Sequence, residues 1–290
     1  MQENELDVMQ RIASHSVKMS KGQKRIASFI LNHYDRASFM TAANLGLCAD
    51  VSESTVVRFA MALGYEGFPE MQAALQELVR NKLTNQQRIE LVDSGDEKST
   101  IIETLKADMN NLRSTIDEVD PAEFSRMLDC LVESREVYIC GHRSSSVLAQ
   151  FLEYYLSYIF PHIHLLTTGV QDYYDRLTRI NEKDILIAIS YPRYSNRTVE
   201  VARIAKQKGT PVCAITDSRV APIAKLSDFC LMAKSSMATF VDSMVAPMSI
   251  INAIIVACGQ RRKSDLQAYF TELEHIWKSY HVYSEPDGRS

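Results

Sequence analysis

Apolar positions in the first eighty residues recur at helical spacing, without the Val/Ile runs that mark buried strands. Ile26, Phe29 and Ile30 fall at i, i+3 and i+4 of one amphipathic segment. A second segment covers 41–48, with Ala42, Leu45 and Leu47 apolar. Ser52 offers a hydroxyl to cap a third helix, and Gly64 can take positive φ to end it. A fourth helix is predicted from about Pro69, a good first-turn residue, to about Asn85. Residues 86–120 are charged and polar. Within them Ser94–Ser99 reads as a turn, and Thr100–Val119 regains helical spacing through Ile101, Leu105, Met109 and Leu112.

From about 121 the period changes. Short β-branched runs at 136–140, 162–166, 184–190, 211–216 and 228–232 alternate with helical stretches at about 144–160, 171–180, 197–208 and 220–226. Three runs are almost continuously apolar, as strands covered on both faces must be. Repeated βαβ alternation predicts a parallel sheet with helices on both sides. A helix at about 243–261 and a tail helix at about 264–281 follow. The tail stripe of Leu266, Tyr269, Phe270, Leu273, Ile276, Trp277 and Tyr280 must pack on its own domain or on a second subunit. The expected fold class is α/β overall: an all-α helix-turn-helix domain at 1–85, a helical linker at 86–120, and a five-stranded parallel-sheet α/β sandwich at 121–290.

Composition narrows the class. With 290 residues, 46% hydrophobic and 23% charged, the chain suits two soluble globular domains. No run of about 18 apolar residues exists to cross a membrane. The acidic start at 1–7 is unlike a signal peptide, so a cytoplasmic protein with no membrane partner is expected. The six cysteines show no CxxC spacing and read as small buried hydrophobes in a reducing compartment. His162 and His164 share a strand face but have no nearby Cys or carboxylate, so no metal and no cofactor is expected.

Two regions carry candidate chemistry. The 41–63 segment reads as a short helix, a tight turn and a capped second helix, the pattern of a DNA-binding helix-turn-helix. Ser52, Glu53, Ser54, Thr55 and Arg58 would be its exposed early residues, with Val56, Val57 and Phe59 packing beneath. The net charge of −4 excludes bulk coating of nucleic acid but not a local basic face. Lys18, Lys21, Lys24 and Arg25 make such a face, with Lys21 placed among the DNA contacts. So few cations per chain would bind weakly, so a dimer gripping double-stranded operator DNA is expected.

The second region is the C-terminal edge of the sheet, where open parallel sheets bind ligands. Gly141-His142-Arg143-Ser144-Ser145-Ser146 follows the first strand, Ser190-Tyr191-Pro192-Arg193-Tyr194-Ser195-Asn196-Arg197-Thr198 the third, and Thr216-Asp217-Ser218 the fourth. Hydroxyls at three helix N-termini on one edge suit a small anionic metabolite. No phosphate loop of the GxxxxGK[ST] kind and no GxSxG elbow occurs. His142 with Glu200 could imitate the acid/base pair of a sugar isomerase, the rival to a non-enzymatic binding role.

The residues that carry these readings also carry a resemblance. Val51 through Phe59, then Leu63-Gly64-Tyr65 and Gly67-Phe68-Pro69-Glu70, resemble the recognition-helix signature of bacterial transcriptional regulators of the RpiR/MurR type. Ser190–Ser218, and Phe240-Val241-Asp242-Ser243 with Ala246-Pro247-Met248, are similar to that family's second half. The resemblance runs from about 5 to about 280. It implies a helix-turn-helix domain joined to a flavodoxin-like sugar isomerase (SIS) domain. It also implies a repressor or activator that senses a phosphorylated sugar or related metabolite, and a homodimer or homotetramer. By position, Ser145 matches the serine of the family's first loop, G-x-G-x-S. Ser190, Ser195 and Thr198 match the hydroxyls of S-x-S-G-x-T, which hold the ligand phosphate. Gly141, His142, Ser144 and Arg193 complete the expected pocket. The chain departs from the family at Arg143, which replaces a glycine, at the inserted Pro192-Arg193, and at Asn196, which replaces another glycine. Those changes admit a carboxylate or a differently placed phosphate.

Overall fold

A computed structural model describes residues 8–38, 40–82, 97–167, 173–236 and 241–283. The chain divides into two compact units, Met1–Leu91 and Val92–Ser290.

The first unit is helical. It comprises α1 (Val8–His15), a 3₁₀ turn (Ser16–Lys18), α2 (Lys21–Asn32), α3 (Tyr34–Ala37), α4 (Ala42–Cys48), α5 (Glu53–Ala62) and α6 (Phe68–Lys82). Ser20 and Gln23 form a capping box at the start of α2, and Thr41 Oγ1 caps α4. The core is Ile12, Ile26, Ile30, Leu45, Val56, Phe59 and Met71, each at most 1% exposed. Gly64 at φ +85° ends α5 as the sequence predicts. Tyr65 N–H returns to the Ala60 carbonyl and Gly64 N–H to that of Met61, the paired bonds of a Schellman ending.

The second unit opens with α7 (Glu97–Glu118) and α8 (Pro121–Glu133), then runs β1 (Val137–Gly141), α9 (Ser145–Leu156), β2 (Ile163–Leu166), α10 (Tyr173–Leu177), β3 (Ile185–Ile189), α11 (Asn196–Gln207), β4 (Val212–Thr216), β5 (Phe229–Met232), α12 (Val245–Arg261) and α13 (Lys263–Ser279). All five strands are parallel, in the order β2-β1-β3-β4-β5. Side-chain alternation splits the core. Ile139, Ile187, Ile189 and Ile215 pack with Leu148, Leu152 and Ile251 on one face, while Tyr138, Leu186 and Ala188 meet Val201, Ala202 and Ala205 on the other. At the strands' N-terminal ends the Arg135 guanidinium grips the buried Asp184 carboxylate through Nε and Nη2, both at 2.8 Å.

Some elements differ from expectation. The helix predicted at 220–226 shrinks to a 3₁₀ turn at Ala224–Leu226. Pro222 disfavours helical geometry at the residue before it and supplies no amide. α8 was missed, although Asp120 Oδ1 accepts from the Ala122 and Glu123 amides and Pro121 opens the helix. The helix expected at 100–119 begins at Glu97 and is fastened within the second unit: Asn111 exchanges two bonds with Ser236, and Ser243 Oγ donates to Asp108. The predicted turn at Ser94–Ser99 lies outside the described residues up to 96. The stripe on α13 leaves no residue of that helix buried.

Candidate functional site

The turn between α4 and α5 is shaped by close backbone approach. A Cβ on Gly46 would lie 2.8 Å from the Val51 carbonyl oxygen. The Val51 amide donates to the Gly46 carbonyl at 2.9 Å. Asp50 takes φ +51° there, and its carboxylate meets Arg25 Nη1 of α2 at 2.6 Å. A Cβ on Gly22 would touch Thr55 and Val51 at 3.4 Å, so the N-terminus of α2, with exposed Lys21 beside it, abuts the first turn of α5.

On α5, Ser52, Glu53, Ser54 and Arg58 are exposed and Thr55 is half-buried, above the buried Val56 and Phe59. Ser52 holds the N-cap position without capping. Its hydroxyl bonds Ser54 Oγ at 3.0 Å and Thr55 Oγ1 at 2.8 Å, not a backbone amide. This corrects the expected cap: among the described residues no side chain caps the positive end of α5, an arrangement suited to a phosphate. Arg58 Nε lies 3.3 Å from the Ser54 carbonyl oxygen.

In the second unit, β1 pairs with β2 on one side and β3 on the other, so the chain reverses its winding direction between β1 and β3. The loops leaving β1 and β3 flank that switch point, where open α/β sheets form a crevice. Gly141 makes the first loop possible, since a Cβ there would lie 2.6 Å from the Ser145 carbonyl oxygen. Arg143 then turns the chain at φ +59°, and Arg193 turns the β3 loop at φ +62°. The two loops are joined by His142 Nδ1 and Thr198 Oγ1 at 3.1 Å, both buried. Burial, and after it the charge of Arg197, lowers the His142 pKa and favours the neutral ring. Thr216 Oγ1 donates to the Ser190 carbonyl at 2.7 Å, and Tyr194 OH donates to Asp217 Oδ1 at 3.0 Å, which ties the β4 end into the same edge.

The serines at the helix starts again do not cap. Ser144 stands before α9 and Ser195 before α11, and neither side chain bonds a first-turn amide. Ser146 Oγ donates back to the Arg143 carbonyl at 2.7 Å. Two uncapped helix N-termini and their hydroxyls thus face one sheet edge.

Comparison with known proteins matches these two halves. A helix-turn-helix domain model of the rpiR family covers residues 6–82, and a SIS domain model covers 130–257. The HexR transcriptional regulator of Pseudomonas aeruginosa is 23% identical over 277 residues, 92% of this chain and 94% of the relative. An HTH-type regulator of Clostridium perfringens is 25% identical over 81% of this chain and 84% of its own length. The chain belongs to the RpiR family of helix-turn-helix transcriptional regulators. Solved structures agree on the fold. The sugar isomerase domain of a Sphaerobacter thermophilus RpiR factor superposes with a TM-score of 0.58 at 24% identity, over 60% of this chain and 97% of that one. The Vibrio vulnificus NanR protein, solved with ManNAc-6P, gives 0.56 at 18% identity over 93% of this chain and 97% of that one.

In this RpiR-family chain the sequence-predicted residues fall into two groups. Lys21, Ser52, Glu53, Ser54, Thr55 and Arg58 lie around the first turn of α5. Gly141, His142, Arg143, Ser144, Ser145, Ser190, Arg193, Ser195, Asn196 and Thr198 lie along the β1 and β3 loops, with Gly141, His142, Ser145, Ser190 and Thr198 buried and Arg143, Ser144, Arg193 and Asn196 exposed. Gly46 was not singled out, and Tyr194 and Asp217 were read only as members of their loops, not as a bonded pair. The basic face loses one member, because Arg25 pairs with Asp50. Arg11 is buried: its Nη1 donates to the Leu63 carbonyl at 3.0 Å and its guanidinium lies 4.4 Å from the Tyr65 ring centre. His164 pairs with Glu136 Oε2 at 2.7 Å and stacks on Tyr138. Cys140, Cys213, Cys230 and Cys258 are buried and reduced, whereas Cys48 is exposed and Cys130 half-buried. Burial raises the Cys140 thiol to about 12.

Proposed function

We propose that this RpiR-family regulator binds operator DNA of a metabolic operon through α5 and responds to a phosphorylated sugar or related anionic metabolite held in its second unit. The observation that carries the ligand half is the His142–Thr198 bond, which locks the loops after β1 and β3 together beside two serine-lined, uncapped helix starts. That the NanR neighbour was solved with ManNAc-6P supports the ligand class. The neutral, buried His142 engages Thr198 through Nδ1, which favours binding over acid/base isomerisation.

The regulator works in the cytoplasm as a homodimer or homotetramer. Support comes from α13, which has no buried residue and shows Tyr269 and Ile276 to solvent. Beside it lies an apolar groove of about 430 Å³ lined by Tyr155, Tyr158, Ile159, Val256, Leu266 and Phe270. A second copy presenting the same aromatic face would cover both.

The ligand signal has a bonded route toward the chain segment that leads to the DNA-binding unit. Tyr194 on the β3 loop bonds Asp217, the Asp217 carbonyl meets Lys234 Nζ at 3.5 Å, and Lys234 reaches Glu118 of α7 at 2.8 Å. The Lys234 amide also donates to Thr115 of α7 at 2.9 Å. A shift of the β3 loop therefore bears on α7, provided the ligand prefers one of two arrangements.

The test is fluorescence anisotropy on DNA from upstream of the protein's own gene and neighbouring genes, with scrambled competitor, over a range of salt. Competitor-resistant binding that weakens with salt and shifts with a sugar phosphate is expected. Replacing Ser195 and Thr198 by Ala should abolish the shift. Equal affinity for scrambled DNA at every salt and every promoter would refute the regulator reading, and turnover of ketose or aldose phosphates would refute the non-enzymatic one.

A further inference from the structure

α7 is amphipathic in reverse: its polar side chains fasten it to its own unit and its apolar ones face solvent. Asn111 and Thr115 are buried, and with Asp108 and Glu118 they bond to Lys234, Ser236 and Ser243. These positions are three and four apart and make one face. The next face round carries Ile102, Leu105, Met109, Leu112 and Ile116. Val119 extends it, since its amide still donates to the Thr115 carbonyl at 3.0 Å. Five of these six residues are 40–73% exposed, and Leu112 is half-buried. Single exposed apolar side chains are ordinary, but an unbroken stripe marks an interaction surface.

The spacing indicates what covers it. From Ile102 to Val119 the steps are 3, 4, 3, 4 and 3 residues, the a and d positions of a heptad repeat. That repeat fits another helix with the same repeat, and a second copy of the chain supplies one by construction. Flanking charges choose the direction. With Ile102 at a, Lys106 and Arg113 fall at e, and Ile101 and Asp108 at g. A parallel pair sets each g residue against the e residue that follows it on the other helix, which brings Asp108 of one copy to Arg113 of the other. Asp108 accepts from Ser243 through Oδ1, and a carboxylate has acceptor sites for more than one donor. An antiparallel pair would instead set the e residues Lys106 and Arg113 against cations.

We infer that the exposed stripe of α7 forms a parallel two-stranded seam with α7 of a second copy of this chain. This extends the homodimer or homotetramer reading above to a helix that the α13 argument does not use. In such a seam identical residues meet about a two-fold axis along the helices. Both chains then run toward their DNA-binding units from the same end of the seam, as two half-sites require.

The test uses the full-length chain. Leu105→Glu with Met109→Glu places carboxylates at exposed positions, so the far-UV spectrum should stay while the mass from sedimentation falls twofold. Ile102→Cys and Ile116→Cys are made separately in a Cys48→Ser background, because Cys48 is exposed. Each should give covalent dimers on mild oxidation, read on non-reducing gels. An antiparallel seam would set Ile102 opposite Val119 and hold the two copies of residue 102 about 26 Å apart, at about 1.5 Å per residue. Covalent dimers formed only when Ile102→Cys is mixed with Val119→Cys would therefore overturn the parallel seam. So would a mass untouched by the two glutamates, or the absence of links at both cysteine positions. Should the glutamates unfold the chain, the cysteine links alone decide. Loss of mass from Tyr269→Glu but not from the α7 variant would overturn this inference and leave the oligomer reading standing. An unaltered protein that stays monomeric up to about 100 μM would overturn both.

Discussion

The left-handed turns at Arg143 and Arg193 make a stability prediction that needs no ligand. At φ +59° and +62° each residue sits where a Cβ crowds the following carbonyl oxygen. That placement costs about 1–2 kcal/mol for a residue other than glycine. Glycine relieves it but loses more freedom on folding, returning about 0.5–1 kcal/mol. The net gain from Arg→Gly is therefore about 0.5–1 kcal/mol at each position. With both replaced, ~1–2 kcal/mol should raise the melting temperature of a unit near 200 residues by roughly 3–6 °C. Arg→Ala is the decisive control: it removes the same charge but keeps the Cβ, so it should give no gain. Thermal unfolding of the ligand-free, full-length protein reads both sets. If the Ala and Gly variants melt together, the loops hold no backbone strain and the reasoning fails. If both rise together, the strain is repulsion among arginines, not sterics.

Four further outcomes follow from other contacts. Gly141→Ala sets a Cβ 2.6 Å from the Ser145 carbonyl oxygen and 3.1 Å from Ala149 Cβ. It should destabilise the second unit by about 1–3 kcal/mol, as overpacking does, visible as a lower denaturation midpoint. Gly46→Ala drives a Cβ toward the Val51 carbonyl oxygen and should weaken operator binding by opening the α4–α5 turn, read by anisotropy. Arg11→Met loses the bond to the Leu63 carbonyl and the seat on Tyr65; a charged buried hydrogen bond is worth about 1.5–3 kcal/mol, lost from the helical unit in urea unfolding. His142 is held neutral by burial and then by Arg197, so its folded pKa lies below its unfolded one. Its contribution is complete above pH ~6.5 and fades as pH falls toward the lowered value; His142→Asn should flatten that part of the stability–pH curve.

Much of this architecture is legible from periodicity. Five apolar runs became five parallel strands with ends within a residue or two, because a strand buried on both faces leaves little freedom in composition. Helix starts were read less well, for an instructive reason. Ser20, Thr41 and Asp120 cap their helices as their residue types suggest. Ser52, Ser144 and Ser195 occupy the same position and do not. Sequence marks all six alike. Only geometry separates a hydroxyl that caps its helix from one that does not, and the three serines that do not cap lie at the proposed DNA and ligand sites. The contribution of Gly46 was hidden likewise, since a helical glycine declares no reason until the backbone beside it is known. Tyr194 and Asp217 join across 23 residues, beyond any local pattern.

The proposed DNA face must work on a chain with net charge −4, and the exposed cations give a number to check. The first eighty residues contain eight Lys and Arg. Arg11 is buried under α5 and Arg25 is paired with Asp50. Among residues whose side chains are described, Lys21, Lys24, Arg36 and Arg58 remain exposed in that span. Binding constants fall with log salt at a slope of about −0.9 per phosphate neutralised, so these four cations give roughly −3.6 in one copy and roughly −7 in two. Anisotropy between 50 and 300 mM salt, on a full operator and on a half-site, measures both slopes. A half-site slope near −3 that doubles on the full site would show two helical units gripping at once. A slope beyond −5 on the half-site would mean that cations outside these four reach the phosphates, and the placement of the DNA face around α5 and the start of α2 would have to be redrawn.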